Sequence, residues 1–203
     1  MIAGYRVKLS LLCLYLAYIL TGCSSTVNTK YYQLTATSAM AERSNVTNQE
    51  HKTVVIGPLF LPEYLNRSQI VMRSSDTELV LATGGRWAEP LQENLTRVLI
   101  QNLNPQLEAA RVFAFTHYDP EQASYRITLD IQRFDGDTGG DAGLSTQWTL
   151  IDGKSRKILS QGSFDYTTTF NPEESSFGGY TRALSRLVSD LSDDLSEIVN
   201  SIE

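Results

Sequence analysis

The end of the chain carries the strongest constraint on the fold. Tyr180, Leu184, Leu187, Val188, Leu191, Leu195, Ile198, Val199 and Ile202 succeed one another by steps of one, three or four residues. At 3.6 residues per turn they make one continuous apolar face along an α-helix of about six turns. Such a face must be covered. A partner helix would make it a coiled-coil seam, and a sheet with one apolar face would make it one layer of a layered domain. No other stretch repeats the pattern at this length and a sheet is available upstream, so the helix is expected to lie on that sheet.

The sheet is written in period two. Tyr125, Ile127, Leu129 and Ile131 alternate with Arg126, Thr128, Asp130 and Gln132, which describes a strand with one buried and one wet face. Residues 53–61, TVVIGPLFL, are apolar and β-branched but interrupted by Gly57-Pro58, so they read as a strand with a break or as an edge strand. Residues 69–75 and 78–83 flank a polar turn and read as a hairpin, and residues 111–116 as a strand. Trp148 and Leu150, then Phe164 and Tyr166, mark two more strands joined by Asp152-Gly153-Lys154. Residues 134–143, FDGDTGGDAG, read as a solvated, acidic, glycine-rich turn. A second helical stripe runs through Leu91, Leu95, Val98, Leu99 and Leu103, with Pro90 in its first turn and a stop before Asn104-Pro105. Strands, a helix, more strands and a last helix predict an α+β fold, a mainly antiparallel sheet with two long helices packed on one face.

The start of the chain follows a different logic. Arg6 and Lys8 precede an almost wholly apolar run at residues 9–20. That run is too short for a bilayer-spanning helix, which needs about 20 residues, and fits a secretory signal. Leu20-Thr21-Gly22-Cys23 resembles the bacterial lipobox. The resemblance implies cleavage between Gly22 and Cys23, a diacylglyceryl thioether on the Cys23 sulfur and a palmitate-type N-acyl chain on its freed amine. It also implies sorting to the periplasmic face of the outer membrane, because Ser24 and not aspartate follows the cysteine. The expected organisation is a signal peptide at 1–22, then the lipidated cysteine, a short tether, a strand at Tyr31 to Leu34 and a polar loop within 23–52, and an α+β domain at 53–203. The tether is short: the seven residues between Cys23 and Tyr31 reach roughly 25 Å at full extension.

Composition narrows the chemistry. Cys13 and Cys23 are the two cysteines, so a processed chain has neither a disulfide nor a cysteine metal site. Losing Arg6 and Lys8 from 17 basic residues against 23 acidic ones leaves a net charge of about −8, which argues against nucleic acid as a partner. His51 and His117 have no ligand or base partner at useful spacing. Asp135, Asp137 and Asp141 lack the closing glutamate of a calcium loop. Gly84-Gly85 and Gly139-Gly140 precede no lysine-serine pair, and neither GxSxG nor HExxH occurs. The expectation is no catalytic residues, no metal and no cofactor beyond the lipid on Cys23.

Two stretches are dense in hot-spot residue types, LPEYLNRSQIVMR (61–73) and RWAEPL (86–91). Tyr64, Arg67, Arg73, Arg86 and Trp87 are candidates for a partner or subunit contact, with a core position plus a salt bridge as the alternative. On the last helix Arg182 and Arg186 precede Asp190, Asp193, Asp194 and Glu197. The helix dipole favours the reverse order by about 0.3–1 kcal/mol per charge, so these charges suggest either a contact between copies in a homo-oligomeric ring or a solvated face with no such role.

Taken in order, the lipobox with YYQL soon after it, IGPLFLPEYLNRSQIVMR, RWAEPLQENLTRVLIQNL and GYTRALSRLVSDLSDDL resemble the PqiC (YmbA) family. These are auxiliary lipoproteins of ABC-type and MCE-type lipid transport systems. The resemblance implies a non-enzymatic outer-membrane lipoprotein that works with a PqiA-like inner-membrane protein and a PqiB-like MCE tunnel in lipid traffic and envelope integrity. Its task would be to dock or cap the tunnel. The alternative is a lipid carrier holding an acyl chain between sheet and helices.

Overall fold

The computed structural model describes residues 28–37, 52–107, 110–119, 121–174 and 176–202. Gly22, Cys23 and the rest of the signal region lie outside them, as does most of the polar loop, with His51. The described elements are β1 (Lys30–Tyr32), β2 (Lys52–Phe60), a 3-10 turn (Glu63–Leu65), β3 (Gln69–Arg73), β4 (Leu79–Trp87), α1 (Leu91–Leu103), β5 (Ala110–Ala114), β6 (Tyr125–Asp137), β7 (Asp141–Asp152), β8 (Ile158–Thr169) and α2 (Gly178–Asn200).

β6 organises the sheet. One of its edges carries the long antiparallel ladder to β7, which pairs in turn with β8. Its other edge is shared end to end by two shorter strands, both parallel to it. β2 pairs from Val54 opposite Tyr125 to Phe60 opposite Asp130, and β3 pairs at Met72–Gly136 and Arg73–Asp137. At about 3.3 Å per residue, β6 is roughly 43 Å long, enough for both. β5 continues the sheet beyond β2, while β4 and then β1 continue it beyond β3. The fold is α+β, with antiparallel long ladders in a mixed sheet.

β2 lies between β5 and β6, so the break at Gly57-Pro58 is an irregularity inside the sheet and not an edge. Pro90 caps α1 and precedes its first turn. Residues 134–143 are not one turn. β6 runs on to Asp137, and the reversal takes only residues 138–140. Gly136 is required inside that strand, because a Cβ there would stand 2.9 Å from Cε2 of Tyr180 and 3.0 Å from Cε1 of Phe170. With no side chain in the way, the Tyr180 ring reaches the sheet and its hydroxyl donates to the Val71 carbonyl at 3.0 Å.

Both helices cover one face of the sheet and touch each other. Leu184, Leu187, Leu191 and Leu195 of α2 and Leu95, Leu99 and Leu103 of α1 are fully buried, as are Ile127, Leu129, Ile131, Phe134, Leu144 and Leu150 beneath them. Each such side chain contributes about 1.5–3 kcal/mol of burial. α2 is a helix laid on a sheet and not a coiled-coil strand.

After Tyr32 the chain leaves the sheet and residues 33–37 lie against the two helices. The Leu34 side chain is fully buried. Its N–H donates to Oδ1 of the buried Asn94 at 2.6 Å, and its carbonyl accepts from Asn94 Nδ2 at 3.4 Å. Farther along, the Thr35 N–H donates to Ser185 Oγ and that of Thr37 to Asn102 Oδ1. Polar side chains on buried helix faces thus replace the sheet as partners for this backbone. Asn94→Ala should lose about 1–3 kcal/mol of stability, since it strands a buried N–H and carbonyl. Urea unfolding checks this, and a loss under about 0.5 kcal/mol would mean that the strap is not held by Asn94.

Candidate interaction surface

The face of the sheet away from the helices carries the charged chemistry. Gly136 faces Tyr180 and Phe170, so the side chains of Asp135 and Asp137 on either side of it point outward. Arg73, opposite Asp137, shares that face. Asp135 is nonetheless fully buried. Its carboxylate accepts from Arg73 Nε at 3.0 Å to both oxygens, from Arg133 Nε at 2.9 Å and from the Tyr64 hydroxyl at 2.7 Å. Arg73 also donates through Nη2 to the Tyr64 oxygen at 3.3 Å, and its guanidinium stands 5.8 Å from the centre of that ring. Arg133 lies across Gly143, where a Cβ would come within 3.0 Å of its Cζ.

Burial, and then the hydrogen bond to Asp135, push the Tyr64 phenol up to about 12. The hydrogen bond to Asp135 likewise raises Arg73. At neutral pH Tyr64 is therefore a fixed donor and Arg73 a fixed cation. A general acid or base works best with a pKa near the operating pH, so this cluster suits clamping and not proton transfer. What it clamps is the segment between β2 and β3, whose 3-10 turn carries Tyr64 over the outer face.

The structure brings together most of the residues singled out in the sequence. Tyr64 and Arg73 belong to the clamp. Arg86 donates from Nη1 to Ser68 Oγ at 2.9 Å, at the foot of the same segment, and Arg67 is exposed within it. Trp87 does not join them. It is 5% exposed and packs in the core, away from the outer face that carries the clamp. Asp135 and Arg133 were missed as members of the cluster, because the glycines and acids around Asp135 read as a solvated turn. A usable signal was Arg133-x-Asp135, which places opposite charges on one face of a continuing strand.

Beside the clamp, Arg73, Ser74, Asp76, Arg133, Asp137 and Thr138 border an open groove of about 710 Å³. A smaller hollow of about 220 Å³ lies between Leu61, Leu65 and the start of α1 at Leu91. On α2 four of the six charged residues singled out in the sequence have partners inside the chain. Arg182 pairs with Glu174, Arg186 donates to the Thr169 carbonyl at 3.0 Å, Gln106 donates to Asp193 at 2.7 Å, and the Tyr166 hydroxyl donates to Asp194. Among the described residues, no group of three or more His, Cys, Asp and Glu could hold a metal, and no helix is long and apolar enough to cross a membrane.

The family of ABC-type transport auxiliary lipoprotein components matches residues 32–196. The intermembrane transport lipoprotein PqiC of Escherichia coli (strain K12) is 30% identical over 132 residues, 64% of this chain and 68% of the relative, and PqiC of Shigella flexneri matches to the same extent. Two crystal structures share the fold. One, of an uncharacterized protein, aligns with a TM-score of 0.67 at 20% identity over 85% of this chain and 99% of the other. A Xanthomonas campestris protein aligns with a TM-score of 0.65 at 14% identity over 86% and 100%. The family is one of transport auxiliary lipoproteins and not of enzymes, and it extends over the strap, the clamp and both helices: the chain belongs to the ABC-type transport auxiliary lipoprotein family, as a relative of PqiC.

Proposed function

We propose that this protein is a non-enzymatic subunit of a PqiA/PqiB-like intermembrane lipid transport system. It is anchored by the lipid on Cys23 to the periplasmic face of the outer membrane, and it docks or caps the MCE tunnel. The observation that carries this reading is the similarity to PqiC, an intermembrane transport lipoprotein, over 132 residues. The packed interior favours a scaffold over a carrier. The side chains that would have to part for an acyl chain, Leu99, Leu129, Ile131, Phe134, Leu187 and Leu191, are fully buried against one another. Close packing of this kind leaves no slack for a guest without rearrangement.

Crosslinking in intact membranes, followed by mass spectrometry, tests the reading. The expected products join this chain to a tunnel protein of the MCE class. Abundant phospholipid bound to the delipidated domain, with no tunnel crosslink, would move the assignment to a carrier.

A further inference from the structure

β1 enters the sheet from a definite end. It runs parallel to β4, with Lys30 opposite Gly85 and Tyr32 opposite Trp87. The chain before Lys30 therefore arrives from the side on which β4 begins, at Leu79. β3 and β6 both run into that same end, so the turns at residues 74–78 and 138–140 sit side by side there. Cys23 precedes Lys30 by seven residues, a reach of roughly 25 Å, while Leu79 precedes Gly85 by six, roughly 20 Å. A bilayer that holds Cys23 is thus within reach of the Leu79 end of β4. The opposite end of β6 is roughly 43 Å away.

That corner has an unusual surface. β1 covers β4 at residues 85–87, and among the described residues no strand pairs with that edge of β4 at residues 79–83. Leu79 is 39% exposed, Leu81 48% and Tyr31 67%. Register places Leu79 opposite Arg73, and Tyr31 beside Arg86, so these side chains share the face away from the helices. Lys30 and Arg67 are exposed nearby, and the turn at the end of the hairpin adds exposed Asp76 and Glu78. Leucines, a tyrosine and charges of both signs are the mixture suited to the headgroup layer, where aromatic rings and long cationic side chains bridge apolar and wet regions. The two acids disfavour an anionic surface.

We propose that Leu79, Leu81 and Tyr31 rest in the headgroup layer of a zwitterionic bilayer, fixing the domain with the β4–β1 edge of the sheet, from Leu79 to Tyr31, along the membrane and the Ile158 end of β8 away from it. This rests on the reading of Cys23 as lipidated. The acyl chains hold the protein to the membrane, and this second contact sets its orientation, which a tether alone would leave free to rotate.

The test uses the full lipidated protein with a single reporter cysteine, since acylation blocks Cys23 and Cys13 leaves with the signal. Leu81→Cys, Tyr31→Cys and Ile158→Cys, each labelled with an environment-sensitive dye, are reconstituted into phosphatidylcholine vesicles containing a headgroup-nitroxide lipid. Ile158 is 59% exposed and is the far-end reference. Dyes at Leu81 and Tyr31 should shift to the blue and lose most of their emission to the quencher, while the dye at Ile158 keeps its own. Equal quenching at both ends, or none at Leu81 and Tyr31 on a lipidated, floating protein, overturns the orientation alone. An intact mass without acyl chains, or failure to float with vesicles, removes the Cys23 reading and this proposal with it.

Discussion

Asp135→Ala is expected to destabilise the protein by about 3–5 kcal/mol, because breaking a buried ion pair from one side leaves its partners unpaired. Asp135 has no exposure of its own, whereas the side chains of Arg73 and Arg133 remain 26% and 36% exposed. The two cations recover some water after the substitution, which places the loss in the lower half of that range. In a chain of this size, about 2–4 °C per kcal/mol corresponds to a melting temperature lower by roughly 6–15 °C. Urea denaturation of the purified domain measures it. Asp135→Asn keeps an acceptor oxygen and loses the charge, so it should fall between wild type and alanine. A loss below about 1 kcal/mol for the alanine variant would show that solvent replaces the carboxylate and that the clamp does not hold the segment carrying Tyr64.

Cys23→Ala should abolish stable attachment to the membrane. Burial of acyl chains is worth about 0.8 kcal/mol per CH₂, and two such signals already anchor a protein stably, so losing all of them exceeds any contribution from Leu79, Leu81 and Tyr31. The variant is expected as an unprocessed or mislocalised species in cell fractionation. Its folded core draws on residues 28–202, so the melting temperature of the processed domain should not change. A Cys23→Ala protein that is cleaved normally and still fractionates with outer membranes would overturn the lipobox reading. Recovery of the tunnel protein should fall with the anchor, while Asp135→Ala should reduce it only as far as it unfolds the domain.

These two residues differ in how visibly the sequence marks them. Cys23 stands out because its signal is local: a basic start, an apolar run, small residues and a thiol within one short stretch. The apolar faces of α1 and α2, the alternation in β6 and the β7–β8 hairpin are legible for the same reason. Each pattern repeats within one element at the period of its own backbone. Asp135 is hidden because its meaning depends on Arg73 and Tyr64, 62 and 71 residues earlier in the chain. Trp87 beside Arg86 is ambiguous alone. On a strand, neighbouring side chains point to opposite faces, and only the position of the helices tells which face is buried.

By itself the sequence determined the element types, the helix-covered sheet and the family, because periodicity and short motifs are properties of contiguous residues, and it alone carries the expectation of a lipid anchor on Cys23. Only the tertiary structure decided that β2 and β3 divide one edge of β6, that Leu34 leaves the sheet for Asn94, that Asp135 is a buried partner of two arginines, and that β1 enters from the end bearing Leu79. These features share a physical reason. They are set by hydrogen bonds and packing between residues far apart in the chain, where a polar group's partner, and not its sequence neighbours, fixes whether it is buried or wet.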